Sequence, residues 1–474
     1  MLSFLDQRTP PRDTLDRREL LRVGGLGFTG LLWSDLLQAR AEAGQSRAQG
    51  AHGGAGGTFG KAKSCILIFN YGGPSHLDSF DLKPDAPVEI RGEFQPIATS
   101  VAGTSIAEHL PRLAAMADRY TIVRSVNHPD NDHAVGAYLA LTGYPHPRSR
   151  PLGTEPPASP QDMPSLGSVV SKLWPAGKSM FPYVTLGELR HFGHKDSMGQ
   201  NAGCLGHAYD PFAVPFVEPM GGDVHLDMRV IASMFGETAS VGQGLARRRP
   251  LLDEINRAAP ALETLSGMRD LNGFRRRAYE LLASPASRDA FDLGKEPPNV
   301  REMYGPTPFG QNCLLARRLV EANIPMVTVY SIGNRDWDTH GGNFTALKNT
   351  LLPTTDRAFS ALLDDLIARR LLDETLVVWM GDMGRTPIIN KAAGRDHWSF
   401  CYSIVMAGGG IRGGEVYGSS DRSAAYPASQ PVGPADVAAT IYHCLGIDPR
   451  THVSDQQGRP LAVATGVPIH ALLG

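Results

Sequence analysis

The run Cys65-Ile66-Leu67-Ile68-Phe69-Asn70-Tyr71-Gly72-Gly73-Pro74 decides the fold. Its first five residues are apolar without alternation, and a polar residue and a Gly-Gly-Pro turn close it. A strand of that kind is buried on both faces, as in a parallel sheet packed between helices. Similar runs recur at 120–126, 325–330, 375–380 and 402–407, with segments of helical period between them at 106–119 and 354–372. In the second of these Leu362, Leu363, Leu366 and Ile367 share one face. Strands alternating with helices predict an α/β fold with a mostly parallel central sheet covered on both sides. Several strands run straight into polar loops: Asn70, Asn127-His128, Gly333-Asn334-Arg335-Asp336 and Gly381-Asp382. Open α/β sheets carry their sites beyond the carboxyl ends of the strands, so one rim is expected to gather these loops.

The chain of 474 residues is 42% hydrophobic and 20% charged, enough for a large core. Lys+Arg 46 against Asp+Glu 48 gives a formal net charge of -2 without a basic block, which argues against nucleic acid or an anionic membrane as the main partner. Five cysteines (Cys65, Cys204, Cys313, Cys401, Cys444) show no CxxC pair. That excludes a thiolate zinc site and a disulfide-built scaffold, leaving one or two bridges at most. Fifteen histidines, many beside Asp or Gly, point to chemistry run on imidazole and carboxylate.

Asp16-Arg17-Arg18-Glu19-Leu20-Leu21-Arg22 precedes an apolar, glycine-rich run at 23–37, and Ala39-Arg40-Ala41 offers a small-x-small cleavage site. Residues 1–41 thus read as a twin-arginine signal, which predicts a periplasmic or otherwise extracytoplasmic destination. As a helix of the mature fold the segment would be poor, since Gly24, Gly25, Gly27 and Gly30 each cost about 1 kcal/mol. Residues 42–62 read as a flexible spacer and 63–474 as one domain. Within it, about 145–306 is rich in Pro, Gly and charge, with an amphipathic segment near 251–282, and reads as an insertion that shapes a pocket. It includes Gly203-Cys204-Leu205-Gly206-His207-Ala208-Tyr209-Asp210-Pro211-Phe212, either a sugar-stacking loop or an ordinary packed turn. No internal repeat and no later membrane span is legible.

Three clusters carry candidate chemistry. In Asp336-Trp337-Asp338-Thr339-His340-Gly341-Gly342-Asn343, the carboxylate of Asp336 and the imidazole of His340 can turn toward one cation. The bland alternative is that Asp338 or Thr339 caps the next helix. In Gly381-Asp382-Met383-Gly384-Arg385 and Gly394-Arg395-Asp396-His397-Trp398, Asp382 and His397 are further candidate ligands, and Arg385 can grip a phosphate or sulfate oxygen with its planar fork. A turn, a surface ion pair and a ring stack under Trp398 are their plain counterparts. In Asn127-His128-Pro129-Asp130-Asn131-Asp132-His133, the two histidines suit metal binding or proton transfer, whereas Asn131 or Asp132 suits an N-cap.

The twin-arginine leader, Gly72-Gly73-Pro74-Ser75-His76-Leu77-Asp78, Asn131-Asp132-His133 with Leu141-Thr142-Gly143, Trp337-Asp338-Thr339-His340-Gly341, Gly384-Arg385-Thr386-Pro387 and Gly394-Arg395-Asp396-His397-Trp398 together resemble the domain of unknown function 1501 family. The resemblance covers nearly the whole chain and implies an alkaline-phosphatase-like, three-layer α/β/α fold shared with sulfatases. It implies one metal site at Asp336, His340 and His397. At the positions of the second site and nucleophile stand Asn70, His133, Asp382 and Met383, so the usual Ser, Thr or Cys nucleophile is missing. From this we expect His133 and Asp382, with Asp78, to hold a second divalent cation (zinc, manganese, calcium or magnesium). A metal-activated water would attack the ester, while Arg385, the Gly72 and Gly73 backbone, Asn70 and His128 steady the anion. The expected function is an exported metal-dependent hydrolase of a phosphate or sulfate ester, small-molecule or glycan. The rival is a catalytically degenerate relative that binds an anionic ligand, glycan or partner protein.

Overall fold

A computed structural model describes residues 57–146, 158–174, 181–187, 189, 198–214, 289–331 and 337–474. The leader, most of the spacer, the segment near 251–282 and Asp336 lie outside the described residues. In chain order the strands used below are β1 (Ser64–Asn70), β2 (Tyr120–Val126), β3 (Tyr183–Leu186), β4 (Phe212–Val214), β5 (Met326–Tyr330), β6 (Thr375–Gly381), β7 (Gly384–Arg385), β8 (His397–Trp398), β9 (Tyr402–Ala407) and β10 (Glu415–Tyr417). The principal helices are α1 (Pro111–Ala115), α2 (His133–Thr142), α3 (Leu166–Leu173), α4 (Pro298–Tyr304), α5 (Pro308–Glu321), α6 (Leu352–Ala368) and α7 (Pro434–Cys444).

Among the described residues, eight strands form the sheet in the order β10-β2-β9-β6-β1-β5-β3-β4. Central β1 is parallel to both neighbours, with Cys65 opposite Met326 on one side and Leu376 on the other. Only β9 runs against its neighbours β2 and β6. The unbroken apolar runs are explained by what covers them. Along β1, Ile66 and Ile68 enter one core with Leu113 of α1, Leu315 and Leu319 of α5, and Phe359, Leu362, Leu363 and Leu366 of α6. Cys65, Leu67 and Phe69 enter the other, with Ala137 and Leu141 of α2, Val169 and Val170 of α3, and Val437 and Ile441 of α7. The strand alternates faces, and both faces are apolar because both are covered. The fold is therefore the three-layer α/β/α arrangement.

Two local expectations change. The 106–119 segment is not one helix: Ser105–Ala107 is a strand, α1 starts at Pro111, and Ala117–Arg119 is a single tight turn. Pro111 lacks the N–H a continuing helix needs and sits where a helix begins. The 145–306 stretch also does more than shape a pocket, because β3 and β4, its described strands, extend the main sheet beyond β5. Its 203–212 loop is a packed turn: Phe212 stacks with Phe181 and Phe291 in the core, and Tyr209 lies under the Lys172 ammonium. All five cysteines are buried and unbridged.

Candidate metal centre

The polar loops meet at the carboxyl ends of β1, β2, β5 and β6 and at the start of the antiparallel β9. After β2 the chain reaches Asp132, whose carboxylate accepts the Ala134 and Val135 N–H groups and caps α2. The cap and the site reading are both true of this loop, because capping sets His133 as the first helical residue, buried and aimed inward. After β6, a short ribbon of β7 and β8 pairs Arg385 with His397 and Gly384 with Trp398. That ribbon fixes His397 beside the β6 turn.

One carboxylate gathers the cluster. Asp338 Oδ1 lies 3.0 Å from His133 Nε2, 3.1 Å from His340 Nε2, 3.5 Å from His397 Nε2 and 2.6 Å from Arg385 Nη2. His340 Nε2 and His397 Nε2 stand 2.9 Å apart. His133, Asp338 and His397 offer ligand atoms all within 4.8 Å of one another.

Each imidazole is also held from behind. His133 Nδ1 bonds the Asp382 carboxylate, His340 Nδ1 bonds Asp396 Oδ1 at 2.7 Å, and His397 Nδ1 bonds the Asn131 carbonyl at 3.1 Å. All three partners only accept, so each Nδ1 carries a proton, and an imidazole in its neutral form presents a lone pair at Nε2. This is how metal-binding imidazoles are oriented. Two bare Nε2 atoms 2.9 Å apart repel unless a proton or a cation lies between them. The donor set of three imidazole nitrogens and a carboxylate oxygen suits zinc or a similar ion.

Charge tells the same story. Among the described residues, the carboxylates of Asp338, Asp382 and Asp396 face the guanidinium of Arg385, leaving two negative charges if the imidazoles are neutral. Burial opposes a charge on His133, but Asp382 and Asp338 outweigh it and push its pKa up to about 9. Burial likewise disfavours the Asp338 carboxylate, yet hydrogen bonds from His133 and His397 and the charges of His133 and Arg385 hold it far below the usual range.

Other expected site residues take different parts. Asp382 Oδ1 accepts the Gly72 and Gly73 N–H groups at 3.0 and 2.9 Å, and Oδ2 faces His133. Its oxygens and those two amides are thus committed to one another, and Asp382 supports His133 rather than joining it at a second cation. Gly72 has φ 105, and a Cβ there would lie 2.6 Å from the Asp338 nitrogen. Arg385 is fully buried and donates from Nε to Gly73 O, from Nη1 to Arg395 O and from Nη2 to Gly72 O and Asp338, so four of its five N–H donors are spent within the protein. Asp78 is turned away as well, bound by both sides of the Arg395 fork at 2.7 and 2.9 Å and by Asn343 and Ser75. His128 is buried with Nε2 on the Asp382 carbonyl at 2.7 Å, and burial lowers its pKa. Asn70 donates to the Met380 carbonyl at 3.2 Å from the end of β1.

Sequence reasoning passed over Asp338 and Asp396. Both lie inside the quoted motifs, but spacing favoured Asp336, and nothing local shows that Asp338 faces His133 from a distant loop. Neither Asp338 nor Thr339 caps the following helix, whose N-cap Gly342 makes no side-chain bond.

Fold and cluster together define an α/β/α protein with a histidine–carboxylate centre on the carboxyl rim of its sheet. The chain belongs to the family described as protein of unknown function DUF1501, whose model matches residues 62–473. No curated protein matches the sequence. Solved structures to which it is similar include a phosphonate monoester hydrolase from Silicibacter pomeroyi, 13% identical over 86% of this chain and 76% of that one with a TM-score of 0.36. A 2-O GAG sulfatase, BT1596, is 13% identical over 86% and 74%, TM-score 0.34. Alkaline phosphatase from the Antarctic bacterium TAB5 is 10% identical over 75% and 94%, TM-score 0.31.

Proposed function

We propose that this chain is a metal-dependent hydrolase of a phosphate or sulfate ester, exported through its 1–41 leader. The observation that carries the proposal is the convergence of three Nδ1-anchored imidazoles on Asp338 at the strand ends. His133, His340, His397 and Asp338 hold one divalent cation. Asp336, outside the described residues, is a further expected ligand. A bound divalent cation supplies Lewis acidity toward an ester oxygen and lowers the pKa of a water toward ~7. The chain's own groups set the stage for this. Asp382, Asp396 and the Asn131 carbonyl fix the tautomers, and Arg385 offsets the Asp338 charge from beneath. His128 braces the Asp382 turn. The His340 side chain is 46% exposed, whereas those of His133 and Asp382 are 3% and 0% exposed, so an ester enters from the His340 side.

One observation favours a binding protein instead. Asn70 stands where the resemblance places a metal-ligating aspartate of the second site, and its amide is spent on Met380 O. The two readings part in one experiment. Bound metal is measured in the purified mature chain, followed by turnover of aryl phosphates, bis-aryl phosphates and aryl sulfates with and without chelator. Stoichiometric metal and chelator-sensitive turnover are expected. A folded, metal-free and inert protein would sink the hydrolase, and bound metal without turnover would leave the binding protein.

A further inference from the structure

An aromatic cluster begins one residue beyond His397. Trp398 follows that histidine in β8, its ring 5.0 Å from Phe400 and 5.6 Å from Tyr426. Tyr426 is 52% exposed, one of four large hydrophobic side chains that stand in solvent among the described residues. An exposed ring gains nothing from the core, so its cost in ordering has to be met elsewhere.

The turn that carries Tyr426 is braced far beyond what a surface loop requires. Asp421 Oδ1 accepts the N–H groups of Ser423 and Ala425, each at 2.9 Å, and Asp421 N–H donates to Tyr426 O at 2.8 Å. Trp398 Nε1–H donates to Ala425 O at 2.6 Å, and buried His76 donates from Nε2 to Ala424 O at 2.8 Å. Ala424 itself is fully buried with φ 56, a left-handed conformation that costs a residue with a Cβ about 1 kcal/mol or more. Side chains from three separate segments thus pin this strained turn in one shape, with its aromatic ring facing water.

Beyond the ring the same turn borders an open depression of about 920 Å³, lined by Asp421, Arg422, Ser423, Lys83 and Asp85 and, in equal number, by apolar residues that include Leu82 and Ile90. Charges of both signs and a hydroxyl are thus set among apolar side chains, a mixed lining that does not suit a polyanion. They suit an uncharged, hydroxyl-rich group, which both donates and accepts. A fixed aromatic face beside such a lining matches a pyranose, apolar on its ring faces and polar around its edge.

We propose that Trp398, Phe400 and Tyr426 form a shelf for the sugar ring that carries the ester, so that the substrate is an esterified carbohydrate. The proposal rests on the hydrolase reading for its substrate but not for its test. The purified protein is titrated calorimetrically with heparin and chondroitin tetrasaccharides, with inorganic sulfate as the ringless control and with 4-nitrophenyl sulfate as an aryl control. At least one tetrasaccharide is expected to bind tenfold or more tightly than sulfate. Tyr426→Ala should lower that affinity about tenfold and leave sulfate binding unchanged, Tyr426→Phe should retain it, and Arg422→Ala should weaken the tetrasaccharide alone. Tetrasaccharides that bind no better than sulfate overturn the shelf, as does a Tyr426→Ala effect confined to the aryl control or equal for sulfate and sugar. Turnover of methyl phosphate or methyl sulfate, which have no ring, reports separately on hydrolysis. A shelf that binds sugar in an inert protein would refute the hydrolase and leave this inference standing.

Discussion

Two of the buried charge clusters among the described residues are built on opposite principles. In the helical layer, Arg317 is fully buried and reaches Glu296 at 2.7 Å, Glu321 at 2.5 Å and Asp365 at 2.8 Å. Arg318 also bonds Glu296, Arg369 bonds Asp365 at 2.7 Å and Glu321 at 3.0 Å, and the Tyr304 hydroxyl donates to Asp365 at 3.0 Å. Three guanidiniums meet three carboxylates, and the charges cancel. At the rim three carboxylates meet one guanidinium, and neutral imidazoles would turn their lone pairs toward one another. A cluster that needs nothing more ties helices together, whereas one whose carboxylates outnumber its guanidiniums is made to receive positive charge, as protons on the imidazoles or as a cation. The distinction lies in the balance of donors and acceptors, not in the amount of charge or its depth.

The sharpest way to break this contrast is Arg317→Met. It leaves Glu296 and Asp365 buried with fewer cationic partners, and the expected loss is about 3 kcal/mol or more of unfolding free energy, read from denaturant titration of the chelated protein. Metal content per folded molecule should not change. A loss below ~1 kcal/mol would show that this network is no tie, and a parallel loss of metal would show that the two clusters are not independent.

Asp338→Ala is the reciprocal change. It removes the oxygen on which His133, His340 and His397 converge, and metal affinity is expected to fall at least about 100-fold, equivalent to ~2.7 kcal/mol. The chelated protein should lose less stability than Arg317→Met does. Asp396→Ala should fall between wild type and Asp338→Ala, about 10-fold to 100-fold weaker, because it only frees the His340 tautomer. Competition with a chromophoric chelator measures all three. Equal affinity in wild type and Asp338→Ala would dismantle the centre as drawn here.

How far the sequence reaches follows the same physics. The strands at 120–126, 375–380 and 402–407 were legible because each carries consecutive apolar residues, Ile122-Val123, Leu376 to Met380 and Ile404 to Ala407, a pattern that burial on both faces explains. β3 and β4 were not, since strands of three or four residues carry no period to read. His133, His340 and His397 were legible as chemistry-bearing types in motifs at strand ends. Their common partner was not, because which loops face each other depends on the order β2-β9-β6-β1-β5, and that order is set by long-range pairing. Arg385 shows a related effect: its fork holds oxygens of Gly72, Gly73, Arg395 and Asp338, contacts that a motif cannot display because they come from three other loops.

The two clusters should also differ in the sign of their response to pH, which gives the smallest but cleanest comparison. Burial raises the Glu296 pKa, but the hydrogen bonds and charges of Arg317 and Arg318 win and lower it. A lowered carboxylate stabilises the fold above its unfolded value of ~4.3, and that stability is lost as pH falls through the folded value. His133 is raised to about 9, so in the chelated protein its contribution is complete below the unfolded value of ~6.5 and disappears as pH climbs through 9. Unfolding free energy of the chelated protein is therefore expected to fall on both sides, by at most about 1.4 kcal/mol per pH unit for each group. Glu296→Gln should flatten only the acid arm, and His133→Phe only the alkaline one. Added zinc should reverse the alkaline arm, because the cation binds the deprotonated imidazole and its stabilisation grows as pH rises. An alkaline arm that zinc leaves untouched would mean that His133 is a proton-bound strut between two carboxylates, and that the surplus charge at the rim is met by protons alone.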